Sequence, residues 1–180
     1  VGYPAPDLSH FTSMGIWMHG NLAGGTPSSG WIGRWHDQVA ADRAEMSVAT
    51  IGWSVPLHLQ GFNRRALGIP YNGNLFGSGT DAHQQRLYNG VKAFSAASGG
   101  RGSLHDAYAN VMKSQINVAA DVAPVFNPEV TGSDFVKKMT IAARMINANL
   151  GFRVLDVGHD GFDHHDNQPG RHTELLAEFD

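Results

Sequence analysis

The sequence predicts an α/β fold with a largely parallel sheet, and three observations carry that expectation. An amphipathic stretch over residues 133–150 runs through Gly151 directly into Phe152-Arg153-Val154-Leu155, an apolar run that reads as a buried strand. The strand empties into a polar loop, and a further helix is expected from about Pro169, because proline suits a first helical turn. A second short apolar run, residues 46–53, supplies another strand. Helix, strand, loop and helix in this order are half of a βαβ unit. Two strands are too few to close a sheet. The remainder of the same protein, or a partner chain, is therefore expected to complete it, and the 180 residues read as one partial domain.

Taken in order, residues 1–8 form a Pro-rich opening segment. Asp7 or Ser9 is placed to cap a short helix through about His19, with Phe11, Ile16 and Trp17 as its apolar residues. Residues 21–30 are a Gly/Ser/Thr/Pro loop. Trp31, Trp35 and Val39, at i, i+4 and i+8, predict a second helix over 31–41. After the strand at 46–53, closed by Pro56, residues 54–80 show no period and contain, beyond that proline, Gly61, Gly68, Pro70, Gly73, Gly77 and Gly79. So long an irregular connection is either a functional loop or a surface excursion packed by Leu57, Leu59, Phe62, Leu67 and Phe76; the second reading is preferred.

Three helices are expected next. The first covers about 81–97 and ends at Gly99-Gly100. The second opens with Ser103-Leu104-His105-Asp106, read as a capping box, and keeps its period through Leu104, Tyr108, Val111, Val118 and Val122 until Pro124. The third, 133–150, places Phe135, Met139, Ala142, Ile146 and Leu150 on one face, with Gly151 at its C-cap.

Composition removes several classes of function. The net charge of −3, with basic residues scattered, gives no electrostatic footprint for nucleic acid. The absence of cysteine excludes disulfides, thiolate metal sites and a cysteine nucleophile. No window approaches the apolar length of a membrane span, and no signal peptide is visible. The chain begins without Met and stops inside a helical pattern, so a fragment or processed product is expected. No Gly-x-Ser-x-Gly elbow, phosphate-binding loop or dinucleotide fingerprint is present.

The chemistry concentrates after the second strand. From His159 to His172, four histidines and three aspartates occupy half of fourteen positions. Parallel α/β sheets place their chemistry at the carboxyl ends of strands. Carboxylate and imidazole together are the ligand set of zinc and of harder ions such as manganese. In extended backbone Asp163 and His165 fall on one side and His164 on the other. His159, Asp160 and His164 are further ligands or proton carriers; the competing reading is a polar surface loop with incidental histidines. An EF-hand is a poor match, because these aspartates are three apart. Ser9-His10 is either part of a site or a helix cap followed by an exposed imidazole, and the cap is preferred. His19, His36, His58, His83 and His105 are isolated, and each reads as structural or exposed.

These residues carry a resemblance. Ser9-His10-Phe11, Ile16-Trp17, Gly20, Gly30-Trp31-Ile32-Gly33-Arg34, Gly52-Trp53-Ser54-Val55-Pro56 with Leu59-Gln60-Gly61, and above all Gly161-Phe162-Asp163-His164-His165-Asp166-Asn167-Gln168 with His172 and Leu175-Leu176 resemble the bacterial family called domain of unknown function 1501. The pattern spans nearly the whole chain. The resemblance implies membership of the alkaline phosphatase and sulfatase superfamily: a three-layer α/β sandwich, a divalent-metal site of zinc, manganese or calcium, and hydrolysis of phosphate or sulfate esters. Such a protein would be an exported enzyme, periplasmic or secreted, acting on a small ester. The alternative is a non-catalytic exported protein that keeps the fold for binding or assembly.

On this resemblance Asp163 and His165 are the expected metal ligands, supplemented by His159 and Asp160, with His10 and His164 in catalytic roles. His164 stands where the family usually has threonine. The family's early Gly-Gly-Asx-Asp segment and its late Phe-Gly-Arg and Asp-His-Gly segments are missing, which implies a partial site with its nucleophile elsewhere.

Overall fold

A computed structural model describes residues 8–22, 28–39, 46–97, 99–100 and 102–180. The reading of residues 1–7 as a Pro-rich segment lies outside these, as do the centre of the 21–30 loop and the end of the helix predicted to reach 41. The organising element is β1, Val48–Ile51, all four residues of which are buried. Three of the four are β-branched, which favours a pleated strand packed on both sides. It lies between β2, Leu67–Ile69, and β3, Val154–Asp156, and pairs in parallel with both. The register sets Ala49 against Leu67 and Leu155, and Thr50 against Gly68 and Asp156.

Because side chains alternate along a strand, β1 divides the core. Ala49 and Ile51 pack with Ile69, Val122, Val125, Ile141, Ala142 and Met145. Those helical residues come from the end of α4, Ser103–Val122, from the turn Ala123–Phe126, and from α5, Asp134–Asn147. Val48 belongs to a second cluster with Leu59 and Ala66, flanked by Ile32 and Trp35. The latter two come from α2, Trp31–Val39. Helices therefore cover both faces of a small parallel sheet, so the α/β class holds.

Several expectations are corrected. A third strand, β2, lies inside the stretch read as aperiodic; three residues with a central glycine are too short to show alternation. The strand expected to be buried, β3, is half-buried, because it pairs on one side only among the described residues. On α5 the buried face is Phe135, Ile141, Ala142 and Met145, whereas Met139 and Ile146 are exposed. That helix carries more apolar residues than one face needs, and the period alone cannot choose between adjacent stripes. Asn149, with φ 50°, takes the left-handed position after the Ala148 C-cap that Gly151 was expected to fill.

The capping box is also absent. Ser103 is already helical, and the N-cap is Gly102 without a side-chain bond. Asp106 instead accepts from the N–H groups of Gly99 and Gly100. These bonds, with the His105 ring, hold its carboxyl below the usual range. Leu104, Tyr108 and Val111 are exposed, and α4 buries Ala109 and Val122. Tyr108 and His105 do reach the Phe94 ring of α3, Ala82–Ala96.

Candidate functional site

The loop after β3 is built on aromatic packing. The His159 ring stacks on Phe135 with centroids 4.2 Å apart, and Phe162 and Phe179 approach its edges. His159 Nε2 lies 3.1 Å from the Leu175 carbonyl and 3.6 Å from Glu178. This anchors the loop to α6, Gln168–Leu176, whose first turn contains Pro169 as expected. Gly161, at φ 99° over Leu175, makes the turn that a side chain would strain.

Beyond that turn the titratable side chains separate into two groups. His165 Nε2 lies 3.4 Å from Asp163 Oδ1. His10 Nε2 lies 4.0 Å from the same oxygen. His10 is the first residue of α1, His10–His19, and Ser9 is its N-cap, accepting from the Thr12 N–H at 3.3 Å. Ser9 therefore caps the helix, and the imidazole beside it faces the loop. All three members of this group are largely exposed. The second group is His164, Phe162 and His172, with ring centroids 5.5–6.5 Å apart. His164 Nε2 is buried there without a hydrogen-bond partner. Asp160 is exposed, and Asp166 pairs with Arg171 at 2.8 Å.

The donor spacing can be tested against a metal. A tetrahedral centre with bonds of about 2.1 Å sets neighbouring donors about 3.4 Å apart. The Asp163–His165 separation of 3.4 Å equals that value, and His10 at 4.0 Å is somewhat wide of it. No three His, Cys, Asp or Glu side chains among the described residues form a group that could hold an ion as they stand. The pair fits; a third ligand requires His10 to move closer.

Sequence reasoning missed a second polar constellation. Asp156, the last residue of β3, accepts from the Thr50 hydroxyl at 2.8 Å, and its other oxygen lies 2.9 Å from His58 Nε2. His58 sits in the single turn Leu57–Leu59. That turn is held against α2 by close approach. A side chain on Gly30 would meet the backbone of Leu57 and His58, and Gly30 N–H donates to the Gln60 carbonyl at 2.8 Å. Asp37 extends the clamp by accepting from the N–H groups of Phe62, Asn63 and Arg64. Arg34 ties the other side, donating to the His19 carbonyl at 2.6 Å and to Ser29. The one local hint was an aspartate at a strand's carboxyl end; its partners are 98 and 106 residues distant.

His36, in the middle of this framework, is buried with neither ring nitrogen hydrogen-bonded. Desolvation, reinforced by the Arg64 charge and only partly opposed by Asp37, pushes its pKa below the ordinary value of 6.5.

Comparison with known proteins agrees with the motif order. The sequence model described as "Protein of unknown function (DUF1501)" matches residues 1–180, and the chain belongs to that family. No curated protein and no solved structure matches it. Among the described residues no helix is long and apolar enough to cross a membrane.

Proposed function

We propose that the loop after β3 is one wall of a divalent-metal site for hydrolysis of phosphate or sulfate esters, in an exported protein with an alkaline phosphatase-like fold. The observation that carries this reading is the convergence of His10 and His165 on one oxygen of Asp163, from opposite ends of the chain. Asp163 and His165 hold the ion, with His10, 4.0 Å from Asp163, as a further donor. A zinc, manganese or calcium ion bound there would supply Lewis-acid polarisation and an activated water. His164, whose Nε2 is buried and unpaired, is positioned to carry a proton once a substrate or water gives it a partner. His159 supports the loop from beneath, and Asp160 is an exposed additional carboxylate.

The test is metal content by mass spectrometry, with wild type compared against an Asp163→Ala, His165→Ala double variant. The wild type should retain bound zinc or manganese after gel filtration and the double variant should lose it. Stoichiometric metal in the double variant would refute the ligand assignment. Turnover of generic aryl phosphates and sulfates with added zinc or manganese tests the chemistry.

A second reading, a non-catalytic binding or assembly protein, draws on a different feature. Phe11, Trp17 and Trp31 on α1 and α2 are 83%, 56% and 54% exposed, and large exposed apolar groups are typical of contact surfaces. The outer edges of the three-stranded sheet, unpaired among the described residues, offer pairing positions to a partner chain or to further strands of the same protein. Metal binding without turnover on either ester class favours this reading.

A further inference from the structure

The constellation at the ends of β1 and β3 has the properties of a proton-transfer site. An ionised carboxylate only accepts hydrogen bonds. Asp156 therefore holds His58 as the Nε2–H tautomer, and the imidazole lone pair lies on Nδ1. The Thr50 hydroxyl occupies the other carboxylate oxygen and fixes its plane from within the sheet, since Thr50 is only 4% exposed. The side chains of His58 and Asp156 keep 20% and 25% of their surface in contact with solvent. This combination, a ring held by a carboxylate and partly open to solvent, is how a base is presented to a substrate.

A purely mechanical role accounts for it less well. The Leu57–Leu59 turn is already held by the fully buried Leu59 and by the Gly30–Gln60 backbone bond. A polar bridge used only as a strut needs no contact with solvent. This one remains accessible, at the strand ends where parallel sheets bind their ligands.

We propose that His58 is an acid–base residue for hydrolysis of a small ester, with Asp156 and Thr50 as its positioning residues. His58 Nδ1 takes a proton from water as the water oxygen bonds to the acyl or phosphoryl centre. The ester oxygen leaves as its bond breaks, and the imidazolium returns the proton to it. Ester and water become acid and alcohol, with no other reagent consumed. These side chains are different from those assigned to the metal, so the two proposals stand or fall separately.

The experiment uses p-nitrophenyl acetate as the probe, in excess EDTA, with wild type, His58→Gln and Asp156→Asn. Folding is checked by circular dichroism. Chelation silences the Asp163–His165 loop and leaves His58 intact. The wild type should retain turnover, and His58→Gln should lose about 10²-fold, the usual scale of acid–base catalysis. Nitrogen-15 NMR should report the Nε2–H tautomer for His58 in the wild type and a mixed population in Asp156→Asn. A structural strut alone would not couple that tautomer shift to a lower rate. An Nδ1–H tautomer in the wild type, no turnover in EDTA, or equal rates in wild type and His58→Gln would each overturn the proposal. None of these outcomes alters the metal-content measurement.

Discussion

Gly33 provides a sharp test of how α2 positions the site. By helix propensity alone, Gly33→Ala should stabilise the protein by about 1 kcal/mol. The structure requires the opposite. A Cβ at Gly33 would lie 2.1 Å from the carbonyl carbon and oxygen of Gln60 and 2.4 Å from Gly61 N. Ordinary carbon contacts are about 3.5–4.0 Å, so the helix would have to withdraw by about 1.5 Å. Withdrawal stretches the 2.8 Å Gly30–Gln60 bond and the three bonds to Asp37.

Overpacking costs about 1–3 kcal/mol, and each lost hydrogen bond adds about 1 kcal/mol. With two of those four bonds lost, setting the propensity gain against these leaves a net loss of about 2–4 kcal/mol. For a chain of this size that lowers Tm by about 4–16 °C. Gly90, in α3, is the control, since a Cβ there would meet nothing within 4 Å. Gly90→Ala should raise Tm by about 2–4 °C. Calorimetry on both variants decides the matter. A Gly33→Ala protein that gains stability as Gly90→Ala does would refute the close approach, and with it the account of how His58 is held.

Two further outcomes follow from the same framework. His36→Leu removes two buried, unpaired ring nitrogens, and should raise urea stability at pH 8 by about 1–2 kcal/mol. Because the folded pKa of His36 is depressed, its contribution is present above 6.5 and is lost as pH falls through the folded value, where the unfolded chain protonates first. The gain from His36→Leu should thus be larger at pH 5.5 than at pH 8, and equal gains would count against a desolvated imidazole. Asp37→Asn should cost about 1–2 kcal/mol at pH 7, as charge-assisted bonds become neutral ones. Burial alone would raise the Asp37 pKa, but the N–H groups of Phe62, Arg64 and Asn63, with His36, together lower it beneath 3.8. Its stabilisation is therefore present above 3.8 and lost as pH falls through the depressed folded value. Acid titration of the variant by fluorescence should lack that component, whereas an unchanged acid limb would show that the Asp37 clamp is not formed.

The residues themselves determined the family, the α/β class and the helix starts at Asp81 and Ser133, and narrowed the first helix start to Asp7 or Ser9, where the structure has Ser9, because caps and periodicity are local signals. Each of these serines or aspartates accepts from an N–H two or three residues onward. The concentration of histidine and aspartate after β3 was equally legible. Local signals did not choose which stripe of α5 is buried, nor did they find β2, whose three residues form a strand only because β1 lies beside them. They also assigned His58 to the isolated histidines and gave Asp156 no role. Those two meet Thr50 because the parallel register sets Thr50 opposite Asp156 while α2, through Gly30 and Gly33, presses the His58 turn onto the sheet. Hydrogen bonds across 98 and 106 residues depend on strand register and helix approach, which exist only once the chain has packed.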